Sequence, residues 1–217
     1  HTASENRGHS NAEYDQLFEE SGVLRENTWQ EFLDTSLALG NCPPLRGDNV
    51  VIITNGGGAG LLAADHFERL GMPIKELKEI SPELRDNIRS YMPAFGSPLN
   101  PVDISGTATS DMYGGALKTA YRDENVDGIM ISVCPTAVTD VEAITETVIN
   151  IYRQYKNLGK PFIMECQGGN ECRNAIMKLR DSGIPAYSTP EQAVNAMVAL
   201  RRYSHIMNKK EQLIKNI

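Results

Sequence analysis

A run of glycines directly after a short apolar segment is the feature that most limits how this chain can fold. Val50–Ile53 leads into Thr54–Gly60, which holds four glycines, and the helix-like segment Leu61–Phe67 follows. A buried strand that enters a helix through glycines gathers bare backbone N–H groups at the helix N-terminus. That end also carries partial positive charge, so the pattern predicts an anion site, with phosphate as the preferred anion.

The charge of the chain limits its partners. The 217 residues carry a formal net charge of -7, and Lys and Arg are scattered rather than clustered. An acidic chain without a basic patch argues against nucleic acid as a partner. A bound phosphate would therefore be held by backbone amides and helix ends. No apolar run is long enough to cross a bilayer and no signal-peptide pattern occurs, so we expect no membrane partner and a cytoplasmic location.

The cysteines and the first residue give two further expectations. Cys42, Cys134, Cys166 and Cys172 fit neither a zinc spacing nor a dense disulfide framework, so we expect reduced thiols and no metal site. The chain begins at His1 without a methionine, and we expect a fragment or a processed chain.

Short apolar runs alternate with helical patterns from Asn49 onward. The predicted strands are Val50–Thr54, Ile74–Leu77, Gly128–Val133, Pro161–Cys166 and Ile184–Tyr187. Cap and stop signals predict helices near Gly58–Leu70, from Ser81, from a Thr139 capping box, over Asn170–Asp181, and from Thr189 to about His205. This alternation indicates βαβ units in an α/β fold, and about five strands favour a flavodoxin-like doubly wound parallel sheet.

The residues before Asn49 have a different character. A short amphipathic helix with Tyr14, Leu17 and Phe18 precedes a second helix, which a capping box at Thr28 starts. Trp29, Phe32, Leu33 and Leu37 are its predicted buried stripe. We therefore divide the chain into a helical segment left over from a preceding domain (1–40), a linker (41–48), the sheet domain (49–206) and a C-terminal tail (207–217).

Three segments are predicted to lie where a doubly wound sheet binds its ligands, beyond the carboxyl ends of the strands. They are 55–60, 100–107 and 134–139, and small residues and hydroxyls dominate all three. Each alone is as readily an ordinary tight turn, but three at one edge favour a site. The candidate phosphate- and substrate-binding residues are Asn55, Gly56, Gly57, Gly58, Asn100, Asp103, Thr136, Ala137, Val138 and Thr139.

The order of these motifs resembles one known family. His1–Ser4, the helix with Tyr14–Phe18 and the turn Ser21–Arg25 are similar to the end of the CoA-ligase domain of NDP-forming acyl-CoA synthetases, the ADP-forming acetyl-CoA synthetase family. Succinyl-CoA synthetase is a more distant relative. The resemblance continues over nearly the whole chain. The segments similar to the family's C-terminal flavodoxin-like domain are Val50–Gly60, Asn100–Asp103 and Cys134–Thr136.

The resemblance implies an acid–CoA ligase that interconverts acyl-CoA, ADP and phosphate with a free acid, ATP and CoA through a phosphohistidine. His1 takes the position of the phosphorylated histidine, and His9 is the fallback. The helix that begins near Thr139 would stabilise the phosphohistidine, and Asn55 with the glycines after it would line the acyl-phosphate side. No tightly bound cofactor is expected. CoA, ADP or ATP, Mg and a small carboxylic acid would be substrates of the complete enzyme.

The resemblance also implies partners. The family's CoA-binding and ATP-grasp domains have no counterpart in this sequence, so they are expected as further domains or subunits of an oligomer. The chain alone is then expected to be inactive. The segment Glu5–Ser10 departs from the family, because it is longer and more polar.

Two other interpretations stay open. Gly58–Ala63 satisfies the Gly-x-Gly-x-x-Gly/Ala pattern of NAD(P)-binding Rossmann oxidoreductases, and Glu76 follows as the acidic residue. A non-catalytic subunit-docking domain would explain the apolar residues after Thr28 and would leave the glycine loops purely structural.

Overall fold

The computed structural model describes residues 10–215. His1 and His9, the predicted phosphorylation site and its fallback, lie outside the described residues. The helices and strands are α1 (Asn11–Ser21), α2 (Trp29–Asn41), β1 (Val50–Thr54), α3 (Gly57–Arg69), α4 (Leu77–Ile80), α5 (Pro82–Arg89), β2 (Val102–Asp103), α6 (Ser110–Arg122), β3 (Gly128–Val133), α7 (Val141–Tyr155), β4 (Phe162–Cys166), α8 (Asn170–Asp181), β5 (Ala186–Tyr187) and α9 (Pro190–Lys215).

A five-stranded sheet of order β2-β1-β3-β4-β5 forms the centre of the domain. All of its neighbouring strands are parallel. β1 and β3 pair along their length, from Val50 opposite Gly128 to Thr54 opposite Ser132. This is the strand order of flavodoxin-like doubly wound folds, so the predicted fold class is confirmed.

The sheet has a hydrophobic core on each face. Val51 and Ile53 of β1 belong to the core that includes residues of α4 to α8, while Val50 and Ile52 belong to the core with α2, α3 and α9. Every residue of β1, β3 and β4 is buried. Burial on both faces explains why these strands are nearly continuous apolar runs in the sequence.

The predicted second strand at Ile74–Leu77 is wrong. A capping box between Glu76 and Glu79 starts the short helix α4 at this point. The strand beside β1 is instead β2, which has only two residues and pairs Val102 with Ile53. A strand this short has no hydrophobic period, so the sequence pattern could not reveal it.

The last helix is longer than predicted. It continues past His205 to Lys215, and the described part of the predicted C-terminal tail is therefore helical. The cause is the absence of a stop signal, since neither glycine nor proline follows Pro190 in this helix.

Polar contacts hold α2 on the sheet domain. Its predicted capping box at Thr28 is confirmed. The Tyr187 hydroxyl at the end of β5 donates to the Asp34 backbone oxygen at 2.7 Å. Gln192 of α9 donates from Nε2 to Asp34 Oδ2 at 3.0 Å. The assignment of residues 1–40 to a preceding domain stays a prediction, although α2 shares a core with the sheet.

The predicted buried stripe of α2 is wrong for three of its residues. Trp29, Phe32 and Leu33 are 73%, 51% and 45% exposed. The buried face instead includes Asp34 and Ala38. The hydrogen bonds to Asp34 satisfy its polar atoms, and this allows a polar face rather than the most apolar one to pack inward.

Asn100 completes the edge of β1 where β2 does not reach. Its Oδ1 accepts from the Ile52 N–H at 3.0 Å. Its Nδ2 donates to the backbone oxygens of Val50 at 2.7 Å and Lys75 at 2.9 Å. The side-chain amide thus replaces a missing strand neighbour. The hydrogen bonds of this candidate binding residue therefore stabilise the sheet and do not face a ligand site.

We expect Asn100→Ala to lower the free energy of unfolding by about 2–4 kcal/mol, because it leaves polar groups of β1 without partners. Urea unfolding followed by circular dichroism measures the change. Asn87→Ala, on the exposed surface of α5, is the control and should stay within about 0.5 kcal/mol of the unsubstituted chain. Equal stabilities of the two variants would contradict the role of Asn100.

Candidate functional site

The three predicted loops meet at the carboxyl edge of the sheet. Asn55 Oδ1 accepts from the Cys134 N–H at 2.8 Å, and Asn55 Nδ2 donates to the Cys134 oxygen at 2.9 Å. Thr136 Oγ1 donates to the Gly106 oxygen at 3.0 Å and joins the second and third loops. We call the surface that these loops form the rim, which comprises residues 55–60, 103–107 and 134–139.

A buried tyrosine supports the rim from below. The Tyr113 hydroxyl lies 2.9 Å from Asn55 Oδ1 and 3.1 Å from the Ser132 backbone oxygen. Burial raises the pKa of Tyr113 well above its ordinary value, so the hydroxyl keeps its proton and remains a donor. Asn55 is therefore fixed by its neighbours. One proton of its Nδ2 has no acceptor among residues 10–215. The sequence carried no signal for Tyr113, since it is one of several apolar residues in a helix.

The N-terminus of α3 presents unpaired amides to the rim. Gly56 is the N-cap, and no side chain caps the helix. The Gly56 N–H donates to Thr54 Oγ1 at 3.0 Å, and the Gly60 N–H donates to the Gly56 oxygen. The amides of residues 57–59 have no acceptor within the described part of the chain. These donors and the helix dipole favour an anion.

The three consecutive glycines of this turn differ in the space available for a side chain. A Cβ at Gly56 would lie 2.6 Å from Cys134 Sγ, and a Cβ at Gly57 would lie 2.7 Å from Asp103 Oδ2. A Cβ at Gly58 would meet nothing within 4 Å. The first two glycines thus permit the close approach of neighbouring loops, whereas packing does not require the third.

Asp103 lies beside the same helix end. Its Oδ1 accepts from the Ser105 N–H at 2.8 Å, while Oδ2 faces Gly57. A carboxylate is stabilised at a helix N-terminus, but it also repels a second anion there. The bond to Ser105 orders a residue in the left-handed region, at a φ of 80°. The contacts of Asp103 therefore favour a role in ordering the rim over direct phosphate binding.

The loop before α7 satisfies many of its own amides. The Thr136 N–H donates to Thr139 Oγ1 at 2.9 Å, and the Val138 N–H donates to Thr136 Oγ1 at 3.3 Å. The N-cap of α7 is Asp140, whose Oδ1 accepts from the Ala143 N–H at 2.9 Å. The predicted capping box at Thr139 is wrong, because the Thr139 hydroxyl is held within the loop.

The described part of the chain has a cleft beside this loop and a larger cleft away from it. One of about 480 Å³ opens at the N-terminus of α7 and is lined by residues 137–142 with Glu171 and Asn174 of α8. A larger one of about 1330 Å³ lies between α1, residues 70–75 and α9. None of the candidate residues that the structure describes lines the larger cleft. Ala137, Val138 and Thr139 line the smaller one, so the smaller cleft belongs to the rim.

A row of polar side chains crosses the sheet just beneath the rim. Thr54 of β1 is opposite Ser132 of β3, Ser132 is opposite Glu165 of β4, and Glu165 is opposite Tyr187 of β5. Opposed residues of neighbouring strands share a face of the sheet. All four are completely buried, so a polar layer lies inside the otherwise apolar interior.

Glu165 supplies the carboxyl group of this row, and its environment is unusual for a carboxyl group. Its Oε1 accepts from Ser132 Oγ and from Gln167 Nε2, the latter at 3.1 Å. Its Oε2 is buried and has no partner among the described residues. Burial raises the pKa of Glu165 to about 7. Glu165 is not among the residues predicted from the sequence, although a charged side chain inside the apolar run Pro161–Cys166 was an available signal.

The cysteines differ in part from expectation. Cys166 and Cys172 form a disulfide with a Cα–Cα distance of 5.3 Å, so the expectation of a reduced thiol is wrong for this pair. Cys172 faces back from the first turn of α8 toward the end of β4. Cys42 and Cys134 are free.

Within residues 10–215 no three His, Cys, Asp or Glu side chains group as metal ligands. No helix in that range is long and apolar enough to span a membrane.

The structure removes one support of the dinucleotide-binding alternative. Glu76, its proposed acidic residue, is the N-cap of α4 and does not end a strand beside β1. The strand beside β1 is β2, and it ends at Asp103. The Oδ1 of Asp103 already accepts a hydrogen bond from the Ser105 N–H.

Fold and geometry together define a doubly wound α/β domain whose carboxyl edge exposes unpaired backbone amides. Comparison with known families makes this more specific. Residues 50–209 match the family model described as Ligase-CoA domain, and the chain therefore belongs to the Ligase-CoA domain family. The family resemblance predicted from the motifs is confirmed.

Curated relatives agree with this assignment. The chain is 42% identical over 193 residues to the alpha subunit of acetate–CoA ligase [ADP-forming] I of Pyrococcus furiosus, covering 88% of this chain and 40% of that protein. It is 32% identical over 196 residues to acetate–CoA ligase [ADP-forming] I of Archaeoglobus fulgidus, covering 90% of this chain and 27% of that protein. The chain thus spans less than half the length of these relatives.

A solved structure has the same fold. The apo form of the dinucleotide forming acetyl-coenzyme A synthetase 1 of Ca. Korarchaeum cryptofilum matches with a TM-score of 0.89 and 31% identity, over 97% of this chain and 45% of that one. Its complex with phosphate and ADP matches with a TM-score of 0.87 and 32% identity, over 94% of this chain and 43% of that one.

We expect Gly57→Ala and Gly58→Ala to have opposite effects, which makes them a matched pair. Gly57→Ala displaces the Asp103 carboxylate from α3 and weakens its bond to the Ser105 N–H, so it should lower the free energy of unfolding by about 0.5–1 kcal/mol. Gly58→Ala meets open space and should raise it by about 0.5 kcal/mol, because alanine is the better helix former. Urea unfolding measures both. A larger loss for Gly58→Ala than for Gly57→Ala would refute this account of the turn.

We expect Glu165→Gln to flatten the pH dependence of stability. Folding raises the pKa of this carboxyl from 4.5 to about 7, so its contribution to stability is complete below pH 4.5 and is lost as the pH rises through 7. Between pH 5 and pH 8 the unsubstituted chain should lose about 2–3 kcal/mol relative to the variant. Urea unfolding at both pH values measures this difference, in which any pH-independent cost of the amide cancels. If the stabilities of the two proteins changed equally with pH, this account of Glu165 would be disproved.

Proposed function

We propose that this chain is the part of an NDP-forming acid–CoA ligase that supplies the rim for the acyl and phosphate groups. The reaction converts acyl-CoA, ADP and phosphate into free acid, ATP and CoA. The observation that carries the proposal is the joining of three loops through Asn55 next to the open amides of α3, in a chain whose relatives are named ADP-forming acetate–CoA ligases.

The rim can hold an anion without cationic side chains. The amides of residues 57–59 and the remaining proton of Asn55 Nδ2 are fixed donors, and α3 and α7 direct their positive ends to the same edge. Such preorganised donors stabilise charge that develops in a reaction. They suit the carboxylate of a small acid and the phosphoryl group of an acyl phosphate. The phosphate and ADP named in a neighbour's complex agree with this chemistry.

A histidine carries the phosphoryl group in this proposal. Phosphate attacks the thioester of acyl-CoA, which releases CoA and leaves an acyl phosphate. The neutral imidazole of His1, with His9 as fallback, then attacks phosphorus and releases the carboxylic acid. Transfer of the phosphoryl group to ADP gives ATP and restores the imidazole. A histidine fits this role because its pKa lies near neutrality, where a neutral ring is nucleophilic.

The remaining parts of the reaction need partners. The CoA-binding and ATP-grasp portions would be further domains or subunits of a cytoplasmic oligomer, and Mg would accompany the nucleotide. The relatives of which this chain covers 40% and 27% have the length for such portions. The exposed side chains of Trp29 and Phe32, whose rings stack with centroids 5.4 Å apart, favour an additional docking role for α2.

Labelling of the complete enzyme that contains this chain tests the proposal. Incubation with γ-labelled ATP should give an acid-labile phosphate that maps to His1, or to His9 if the fallback is correct. The matching His→Ala variant should abolish label and turnover, while His205→Ala on the exposed side of α9 should change neither. Label on a serine or a carboxylate, with none on His1 or His9, would discredit the proposal.

The 217-residue chain alone provides a second test. It should form no acyl-CoA from acetate, ATP and CoA, because the nucleotide and CoA sites lie elsewhere in the proposed enzyme. Adding the missing portions should restore turnover. Acyl-CoA synthesis by the chain alone would contradict this division of labour.

A further inference from the structure

The buried carboxyl of Glu165 is connected to the rim through one side chain. Gln167 Nε2 lies 3.1 Å from Glu165 Oε1 and 3.8 Å from Cys134 Sγ. The backbone of Cys134 forms both hydrogen bonds with the Asn55 side chain. A change at Glu165 is thus two contacts away from Cys134 and three contacts away from Asn55, the residue that joins the loops.

The surroundings of Glu165 offer no compensation for a negative charge. The titratable groups that interact with it are Tyr113 on α6, Cys134 after β3 and Glu191 on α9. Each is neutral or negative, and no cation within residues 10–215 contributes to the pKa of Glu165. Across β5, Tyr187 donates to the backbone of α2 rather than to Glu165. Burial therefore favours the uncharged acid, with its proton on the unpartnered Oε2.

We propose that Glu165 is a positioning residue that holds the rim in its binding arrangement as the neutral acid, so that anion binding at the rim is coupled to uptake of one proton by Glu165. The inference rests on the proposed function, because it takes the anion to be the carboxylate or phosphate of that reaction.

The coupling has a simple electrostatic cause. An ionised Glu165 places a negative charge under a surface that must accept another one, in an interior where screening is weak. A bound anion therefore disfavours ionisation of Glu165. By thermodynamic reciprocity, the protonated form must bind the anion more tightly by the same factor. The proton comes from solvent, and no other group changes its charge.

Calorimetric titration of the complete enzyme with sulfate and with acetate tests the coupling, because neither anion titrates between pH 6 and pH 8. We expect an affinity about tenfold lower at pH 8 than at pH 6, which is a typical size for coupling between sites. Repeating the titration at pH 8 in two buffers of different ionisation enthalpy should show proton uptake. Glu165→Gln should abolish both effects. The control is Glu124→Gln, which removes an exposed charge and should behave like the unsubstituted enzyme.

A second variant keeps the proposal testable if Glu165→Gln does not fold. The hydrogen bond from Ser132 lowers the pKa of Glu165. Ser132→Ala should therefore raise this pKa and shift the midpoint of the pH dependence of anion binding to higher pH. Each of three outcomes would overturn the proposal. The first is an unshifted midpoint in Ser132→Ala, and the second is the same pH dependence in Glu165→Gln and the unsubstituted enzyme. The third is no binding of either anion.

Turnover separates this inference from the proposed function. ATP formation from acyl-CoA, ADP and phosphate is measured across the same pH range. If the unsubstituted enzyme forms no ATP, the proposed function fails, and the inference fails with it as an account of that reaction. If the enzyme is active and Glu165→Gln leaves the pH profile of KM unchanged, only the role of Glu165 fails. A pH profile of KM that is flattened in Glu165→Gln and shifted in Ser132→Ala supports both the proposed function and the role of Glu165.

Discussion

The pair of hydrogen bonds between the Asn55 side chain and the backbone of Cys134 is the contact on which the site depends. It continues the pairing of β1 with β3 by one residue beyond the last strand position. Two loops that would otherwise diverge over the sheet are thereby fixed to each other. Tyr113 makes this junction rigid from below, and Gly56 lets Cys134 approach. The amides of α3 consequently point to one surface.

The anion site that we propose for this acidic chain relies on donors that carry no net charge. The rim offers backbone amides, a side-chain amide and helix ends, and none of its side chains is a lysine or an arginine. Such donors cannot follow a moving anion as a flexible lysine would. Their position is set by the strands that end beneath them, so the register of the sheet becomes part of the binding geometry.

The sequence predicted those parts of the fold that have a regular apolar pattern or a distinct local motif. β1, β3 and β4 are long enough to appear as apolar runs, and the glycine turn was located correctly. The two-residue strand at Val102 has no period, and Asn100 works by a long-range side-chain bond that no local pattern encodes. The exposure of Trp29 was unpredictable for a similar reason, because Asp34 finds its partners on α9 and β5.

The carboxyl groups of Asp103 and Glu165 show why position outweighs residue type. Asp103 is only partly buried, lies at the N-terminus of α3 and accepts a hydrogen bond from a backbone N–H. Glu165 is completely buried, and one of its oxygens has no partner in the described structure. The pKa of Glu165 rises to about 7 for this reason. One carboxyl group thus orders a loop of the rim, and the other, when it is protonated, leaves the space beneath the proposed anion site uncharged.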